Sequence, residues 1–439
     1  MSEPRRQRWL VLAHAFNMDG RAASQTITDK IPHLLAAGIE LVVLSGVSGS
    51  LDRVVEHHQL WPIGPSGIKF ELRHVLRKRF HSPLVYRSLI GLASLALLPG
   101  IFIEKLFWRI ESSWSWWLSA YFKGRQLARQ QAFDLVYSTG GAYSAHLAGH
   151  ALKLKLSIPW LAEVHDPFNV PGARPVTEQQ KMQTKVEGLI CREADVAIWF
   201  TDQALASAKT RHPELNNRGK ALLPGIDPPF KILPPYQPGP KMVVGHFGSL
   251  SATRNLLPFI EALEILETQR PDVVALTELH VYGGPLDSAS AAKLSDTKLA
   301  TTVRNAVRYF GRIEHDPTSG LSGREQVLQQ MRSVDVLLLL HGQEPICAEY
   351  IPSKLYEYLW MQRPILATVY SNPQMAYMLQ HAGHTAIETS KQVNGANSLT
   401  NELTVLFERW KLYGLADNGA PSPYTTRAAV GQLVQWVQP

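Results

Sequence analysis

Cysteine is almost absent from this sequence, and what the chain lacks excludes several classes of protein. Cys191 and Cys347 are its only cysteines, too few for a disulfide-stabilised scaffold, and no cluster of Cys and His residues has the spacing of a structural zinc site. Residues 1–8, MSEPRRQR, lack the apolar core of a secretory signal. We therefore expect a cytoplasmic protein without a structural metal.

Negative charge is also in deficit, since 44 Lys and Arg residues outnumber 37 Asp and Glu residues. This balance favours anionic partners, which include phosphorylated substrates, an acidic membrane surface and nucleic acid. The basic residues at 73–79 belong to no recognisable nucleic-acid-binding module, so we expect no nucleic-acid partner. A chain of 439 residues with 45% hydrophobic residues predicts two or more domains with sizeable cores.

One uncharged run, residues 88–103, raises the question of a membrane. It is shorter than the ~20 apolar residues of a spanning helix, and Pro99 and Gly100 are expected to interrupt it. Basic residues precede it and tryptophans follow it within residues 69–123, which suits an anionic bilayer surface. The alternative is an apolar helix pair inside an N-terminal domain with tryptophans in its core, and the sequence does not choose between them.

Strand and helix patterns alternate along the chain. Short apolar runs predict buried strands at 9–13, 41–44, 135–138, 160–164, 196–200, 242–247, 278–282, 307–310 and 336–340. Segments of helical length separate them, and the alternation restarts after a proline-rich linker at 228–240. We therefore predict an α/β protein of two doubly wound, Rossmann-like domains with a cleft between them.

The loops after the strands of the second half carry glycine and arginine. Gly248 and Ser249 begin the first of these loops, Arg254 lies further along it, Gly283 begins the second, and Gly311 with Arg312 begins the third. Ligands of such sheets bind at the carboxyl ends of the strands, and an arginine can bind a diphosphate with two hydrogen bonds. Each loop taken alone is also consistent with an ordinary turn.

The strongest signal is the segment from Glu349 to Glu357, which follows the apolar run at 334–340. Ser353 is the predicted N-cap of a helix that begins between the two glutamates. The free backbone N–H groups of that helix would face an anion, while the glutamates would accept hydrogen bonds from hydroxyl groups. Phosphate flanked by hydroxyl acceptors suggests a nucleotide sugar.

The order of these motifs resembles the GT-B glycosyltransferases of the family 4 type. In the second half the resemblance rests on GHFGSL with its downstream arginine, YGG, YFGRI, and SVDVLLLL followed by EYIPSKLYEYLWMQRPILA. In the first half AFNMDGR, IPWLAEVHDPF, ADVAI and LPGID are similar to landmarks of the family. The resemblance implies an acceptor-binding domain at 1–227, the linker at 228–240, a donor-binding domain at 241–410, and a helical segment at 411–439 that packs back on the first domain.

The resemblance also implies roles for the donor-side residues. Glu357 would bind the ribose hydroxyls, Glu349 would face the transferred sugar, and Gly248, Ser249, Gly283, Gly311 and Arg312 would line the donor site. The backbone around Pro352, Ser353 and Lys354 would hold the distal phosphate, although Pro352 has no N–H to donate. The usual basic pair is represented by Arg254 alone, and Lys354 is either the second cation or a surface lysine.

On the acceptor side, His165 and Asp166 match a loop close to the transferred sugar, where they would orient or exchange a proton. Alternatively, Asp166 caps the next turn and His165 is a structural polar residue. Asp19, Gly20 and Arg21 would lie near the acceptor. The chain has no Asp-x-Asp motif to hold a metal-bridged diphosphate, and no residue is assigned as a nucleophile.

The implied activity is a retaining, metal-independent transfer of a hexose-type sugar from a nucleoside-diphosphate sugar to a polysaccharide or lipid-linked glycan precursor of the cell envelope. The nucleotide sugar would be a co-substrate, with no other cofactor. The protein would be cytoplasmic or peripheral at the inner face of the cytoplasmic membrane. Two alternatives remain, a GT-B sugar-phosphate enzyme (phosphorylase or nucleotide-sugar epimerase) and a non-catalytic, membrane-associated scaffold.

Overall fold

The structure is a computed structural model that describes residues 6–80, 82–316, 318–390, 392–393, 395–415 and 421–437. The chain divides into two compact units. The first comprises the residues up to Pro224 and those from Thr426 onward, and the second comprises Gly225–Thr425. The C-terminal helix therefore belongs to the same unit as the N-terminal half.

The first unit is built around a parallel sheet with helices on both faces. Its elements before Pro224 are β1 (Arg8–Leu12), α1 (Ala22–Ala36), β2 (Glu40–Ser45), β3 (Glu56–Gln59), α2 (Pro65–Arg79), α3 (Pro83–Phe107), α4 (Trp116–Gln130), β4 (Leu135–Gly140), α5 (Tyr143–Leu156), β5 (Trp160–Val164), α6 (Glu178–Glu193), β6 (Val196–Trp199), α7 (Asp202–Arg211), a 3₁₀ helix (Pro213–Arg218) and β7 (Gly219–Ala221). The strand order is β3-β2-β1-β4-β5-β6-β7.

Burial on both faces of this sheet explains its apolar strands. All five residues of β1 are buried, with Leu10 in one core cluster and Trp9 and Val11 in the other. β1 lies between β2 and β4, with Trp9 beside Leu41 on one side and Leu135 on the other. This central position places the carboxyl ends of β1, β4 and β5 next to one another.

The second unit repeats this architecture. Its elements are β8 (Met242–Phe247), α8 (Leu257–Gln269), α9 (Pro271–Ala275), β9 (Thr277–Tyr282), α10 (Ser288–Ser295), α11 (Thr301–Ala306), β10 (Val307–Gly311), α12 (Gly323–Ser333), β11 (Val336–Leu340), a 3₁₀ helix (Pro345–Glu349), α13 (Lys354–Trp360), β12 (Ile365–Tyr370), α14 (Pro373–His381), β13 (Thr385–Thr389) and α15 (Ala396–Tyr413). The strand order is β10-β9-β8-β11-β12-β13, and every pair is parallel. The last helix, α16 (Thr426–Val437), packs against α1 of the first unit.

The predicted α/β class with two Rossmann-like domains is confirmed. The proline-rich stretch at 228–240 contains neither helix nor strand, and it is anchored on the second unit. The guanidinium of Arg363 lies 3.9 Å above the Tyr236 ring, and Arg332 Nε donates to the Pro234 carbonyl at 2.8 Å.

The apolar run in the first unit departs from two expectations. α3 continues through Pro99 for 25 residues, so the predicted interruption there is wrong. Glu104 is the only residue of α3 that is buried, so the alternative of a core helix is wrong as well. By length and composition alone α3 could cross a membrane. Trp116, by contrast, lies in the core of the unit.

Candidate functional site

The carboxyl ends of β8, β9 and β10 are tied together by their glycines. The Gly248 N–H donates to the Tyr282 carbonyl at 2.9 Å, and the Gly283 N–H donates to the Gly311 carbonyl at 2.8 Å. At Gly283, where φ is +151°, an added Cβ would lie 2.0 Å from the carbonyl oxygen of Gly248. The three glycines predicted from sequence therefore lie side by side, and Gly283 is required by the close approach of two backbones. Arg312, the next residue on β10's loop, is exposed.

Arg254 lies in the loop after β8, and its neighbour Thr253 accepts a hydrogen bond from the Gln343 N–H of the loop after β11 at 3.2 Å. Arg254 Nε donates to the Ser249 carbonyl at 2.9 Å, and its backbone closes a turn with Ser251. Burial, with a further contribution from the Arg254 charge, lowers the pKa of His246 and of His341 to about 4. Both imidazoles are therefore neutral near pH 7, and neither they nor the carbonyl neutralises the guanidinium.

The two glutamates that follow β11, Glu349 and Glu357, occupy different surroundings. Glu349 ends the 3₁₀ helix and is 1% exposed. Glu357 lies on α13 and is 5% exposed, with Lys354 Nζ 2.6 Å from one carboxylate oxygen and Arg324 Nε 3.7 Å from the other. Glu357 is thus held by two cations, and Lys354 forms its ion pair within the first turn of α13.

The residues between the glutamates form a tight helix start. Ser353 occupies the predicted position before α13, but its side chain makes no capping hydrogen bond and its backbone is already helical. The Pro352 carbonyl accepts from the Leu355 N–H at 2.9 Å. The helix α13 has seven residues. Phosphate binding at its N-terminus stays a prediction.

In the first unit, His165 follows β5 and its ring is fixed by two polar groups. Its Nε2 lies 2.9 Å from a Glu163 carboxylate oxygen and 2.8 Å from the Thr139 hydroxyl, and the ring stacks on Phe200 with 4.6 Å between centroids. Because the Thr139 hydroxyl donates to Glu163, the proton on His165 belongs on Nε2. Nδ1 is buried and has no hydrogen-bond partner among the described residues. The neighbouring Asp166 is exposed and caps no helix within the described chain.

Glu163 is a functional candidate that the sequence did not reveal. It is fully buried and forms an ion pair with the equally buried Lys30 of α1, while the Tyr137 hydroxyl donates to it at 2.8 Å. Burial alone would raise the pKa of Glu163, but Lys30 and His165 outweigh it and hold the pKa well below the ordinary value. A permanent anion therefore orients the His165 ring.

A second buried group lies at the end of β1. His14 Nε2 is 3.1 Å from the Glu71 carboxylate of α2. Near them, burial raises the pKa of Glu111 to about 7, although the Ser113 hydroxyl, which donates to it at 3.0 Å, opposes the rise. Both clusters, Glu163 with Lys30 and His14 with Glu71, join residues that are far apart in the sequence, so no local sequence pattern predicts them.

The Asp19, Gly20 and Arg21 loop is exposed at the start of α1. Arg21 lies against α2, with Nη2 3.5 Å from His74 Nε2 and the guanidinium 5.8 Å from the Phe70 ring centroid. Its contacts therefore lie on the helix that also carries Glu71. Within the described residues, no three His, Cys, Asp or Glu side chains are grouped as metal ligands.

Comparison with known proteins gives no match in sequence, since neither a protein-family model nor a curated protein matches the chain. Solved structures do match in fold. TarM aligns with 98% of both chains at 10% identity and a TM-score of 0.64, and the sucrose-phosphate synthase of Thermosynechococcus elongatus aligns with 98% of both at 14% identity and 0.58. A putative UDP-N-acetylglucosamine 2-epimerase from Listeria monocytogenes aligns with 98% of this chain and 95% of its own at 12% identity and 0.50.

One further TarM structure, from S. aureus, is described as a complex with fondaparinux, α-GlcNAc-glycerol and UDP. At these identities the likeness concerns the fold. The chain therefore shares with these proteins the GT-B architecture of two Rossmann-like α/β domains.

Proposed function

We propose that the protein is a glycosyltransferase that moves a sugar from a nucleoside-diphosphate sugar to a hydroxyl acceptor. The observation that carries the proposal is the pair of buried glutamates, Glu349 and Glu357, on the loop and helix that follow β11, with Arg254 in the neighbouring loop. The shared fold with TarM and sucrose-phosphate synthase, and the UDP bound in the S. aureus TarM structure, support it.

The nucleotide would be held from two sides. Lys354 and Arg324 fix the Glu357 carboxylate, leaving lone pairs that accept hydrogen bonds from the two ribose hydroxyls. Arg254, beside two neutral imidazoles, supplies positive charge for the diphosphate. When the bond between the anomeric carbon and the phosphate oxygen breaks, the guanidinium stabilises the charge that develops on the diphosphate.

Glu349 would accept hydrogen bonds from the hydroxyls of the transferred sugar. We propose transfer with retention of the anomeric configuration, in which the acceptor oxygen bonds to the anomeric carbon on the face that the diphosphate leaves. No enzyme nucleophile and no metal take part in this scheme. His165, with Nε2 donating to Glu163 and Nδ1 without a partner among the described residues, would accept a hydrogen bond or proton close to the transferred sugar.

The acceptor that we propose is a glycan or a lipid-linked precursor of a cell-envelope polysaccharide, handled on the cytoplasmic side of the membrane. The exposed loop of Asp19, Gly20 and Arg21 would contribute to its binding.

An epimerase or phosphorylase is the second candidate, and the likeness to the putative 2-epimerase favours it. The two reactions differ in what attacks the anomeric carbon and in whether a sugar is released from the nucleotide, so product analysis separates them.

Thermal shift and calorimetric titration with UDP, GDP, ADP and their common sugars test the proposal. We expect one nucleotide series to stabilise the protein and Glu357→Ala to abolish that shift, while Glu388→Ala, an exposed glutamate of β13, leaves it intact. The stabilising donor is then incubated with glycan acceptors in the presence and absence of EDTA. Absence of stabilisation by every nucleotide would refute the proposal, and a nucleotide sugar with altered sugar stereochemistry would establish the epimerase.

A further inference from the structure

The helix α3 exposes its apolar side chains and buries a carboxylate, the opposite of a helix in a protein core. Its one buried residue is the carboxylate Glu104, whereas Leu95 and Phe102 are each 70% exposed. Other large apolar side chains on the same helix are exposed too: Leu84, Val85, Leu92, Leu98, Ile103, Leu106 and Phe107. A continuous apolar face of this kind is a binding surface rather than ordinary surface composition.

Polar contacts hold α3 on the first unit. The Glu104 carboxylate accepts hydrogen bonds from the Ser66 N–H at 2.8 Å and from Trp114 Nε1 at 2.5 Å. Gly100 lies so close to α2 that an added Cβ would be 2.9 Å from a Pro65 ring carbon. Since α2 packs along the other side of α3, the exposed apolar face has a fixed orientation.

Basic residues predominate on α3 and in the segments of the chain that flank it. Between residues 72 and 110 the only acidic side chain is the buried Glu104. The basic residues of the same stretch are Arg73, Arg77, Lys78, Arg79, Arg87, Lys105 and Arg109. Two copies of the chain that paired through α3 would bring these cations together, whereas a surface of anionic lipid would neutralise them.

Aromatic side chains occupy the C-terminal end of α3. The Trp108 and Trp114 rings stack with centroids 5.4 Å apart. Together with Trp117 and Met182 they line a cavity of 470 Å³, to which Lys185 and the ion pair of Lys181 with Glu178 also contribute. Tryptophan beside Lys and Arg is typical of the boundary between headgroups and acyl chains.

We infer that α3 is a docking surface for an anionic lipid bilayer and lies in the plane of its headgroup boundary. At ~1.5 Å per residue its 25 residues form a rod of ~37 Å. A spanning arrangement would draw the exposed cations of α2 into hydrocarbon, because α2 packs along α3. The inference does not depend on glycosyl transfer.

Flotation of the full-length chain with vesicles tests this inference. We expect binding to vesicles of phosphatidylcholine with phosphatidylglycerol, weaker binding to phosphatidylcholine alone, and a loss of binding as salt rises. Leu95→Asp with Phe102→Asp should reduce binding by more than about tenfold. The triple variant Lys78→Gln, Arg79→Gln, Arg87→Gln should lose about fivefold per charge, ~100-fold in all, on anionic vesicles only.

Matched variants control for solubility and net charge. Leu154→Asp with Leu412→Asp alters exposed leucines of α5 and α15, and the triple Lys231→Gln, Lys298→Gln, Lys411→Gln removes the same charge elsewhere. Both should bind as the unchanged protein does. Circular dichroism checks that all variants are folded.

Three outcomes would overturn the inference. The first is failure of the unchanged protein to float with anionic vesicles. The second is a concentration-dependent dimer, abolished by the α3 variants, which would assign the face to a second copy. The third is resistance of the bound protein to alkaline carbonate, which would indicate a helix that spans the bilayer.

Discussion

His165 Nε2 lies 2.9 Å from the Glu163 carboxylate, while the Nδ1 atom of the same ring is buried with no partner among the described residues. Glu163 in turn forms an ion pair with Lys30, so the ring is oriented by an anion that stays ionised. The arrangement fixes the proton on Nε2 and leaves Nδ1 as the acceptor.

If His165 has the proposed role, His165→Ala should lower kcat by about 10²- to 10⁴-fold while leaving nucleotide affinity within about threefold, because in the proposed scheme the ring acts on the reacting groups rather than on the nucleotide. Steady-state kinetics together with calorimetric titration of the nucleoside diphosphate measure the two effects. His381→Ala, an exposed histidine of α14, is the control. Equal losses in both quantities would assign His165 a structural role.

The buried pair of Lys30 and Glu163 predicts a strong dependence of stability on both partners. Lys30→Met leaves an uncompensated carboxylate and should cost ~3–5 kcal/mol of unfolding free energy, and Glu163→Gln should cost a similar amount. The double variant should recover part of this loss, because neither charge then remains alone. Urea unfolding of all four proteins yields the coupling energy. Strict additivity would show that the two side chains do not interact.

Substitution of Glu349 and of Glu357, the two glutamates that follow β11, should affect different steps of the proposed reaction. Glu357→Ala removes the carboxylate held by Lys354 and Arg324 and should weaken nucleoside diphosphate binding by about 10- to 100-fold. Glu349→Ala should leave that binding within about threefold and reduce kcat with the sugar donor by more than about 100-fold. Titration with the diphosphate alone, set beside turnover of the sugar donor, separates the two. Identical profiles for both variants would contradict the assigned roles.

The sequence predicted nine strands, β1, β2, β4–β6 and β8–β11, because buried parallel strands carry apolar runs such as Val336–Leu340 and residues 41–44. It did not predict β3, β7, β12 or β13. β3 was missed because its residues, Glu56–Gln59, are polar and it lies at the edge of the sheet. The contacts of Lys30 with Glu163 and of Arg324 with Glu357 join distant parts of the chain, so no local pattern reveals them. The sequence does signal the start of the helix that carries Arg324, through the Ser322 and Glu325 capping box, but not the contact of Arg324 with Glu357.

Gly283 makes a steric prediction for the strand-end glycines. Gly283→Ala would place a Cβ 2.0 Å from the Gly248 carbonyl oxygen at a positive φ, so the two loops must separate. We expect a loss of ~2–4 kcal/mol in unfolding free energy and weaker nucleotide binding. Gly284→Ala is the matched control, because its Cβ would meet nothing nearer than the Ser249 hydroxyl at 3.8 Å. Equal stability of the two variants would show that the close approach is not needed.

Glu111 predicts how stability changes with pH. Burial raises its pKa from 4.5 to about 7, against the Ser113 hydrogen bond and the nearby His14. The folded state therefore holds the proton more tightly than the unfolded chain does. The resulting stabilisation is complete below pH 4.5 and is lost as the pH rises through 7.

Glu111→Gln cannot ionise and should not show this loss. Relative to the unchanged protein, the variant should gain ~2 kcal/mol of unfolding free energy between pH 5.5 and pH 8, because one pKa unit corresponds to ~1.4 kcal/mol. Urea unfolding at the two pH values measures the difference, and Glu388→Gln at an exposed position should show none. A difference that shrinks towards pH 8 would have the wrong sign for a buried carboxyl whose pKa is raised, and would place Glu111 in contact with a cation instead.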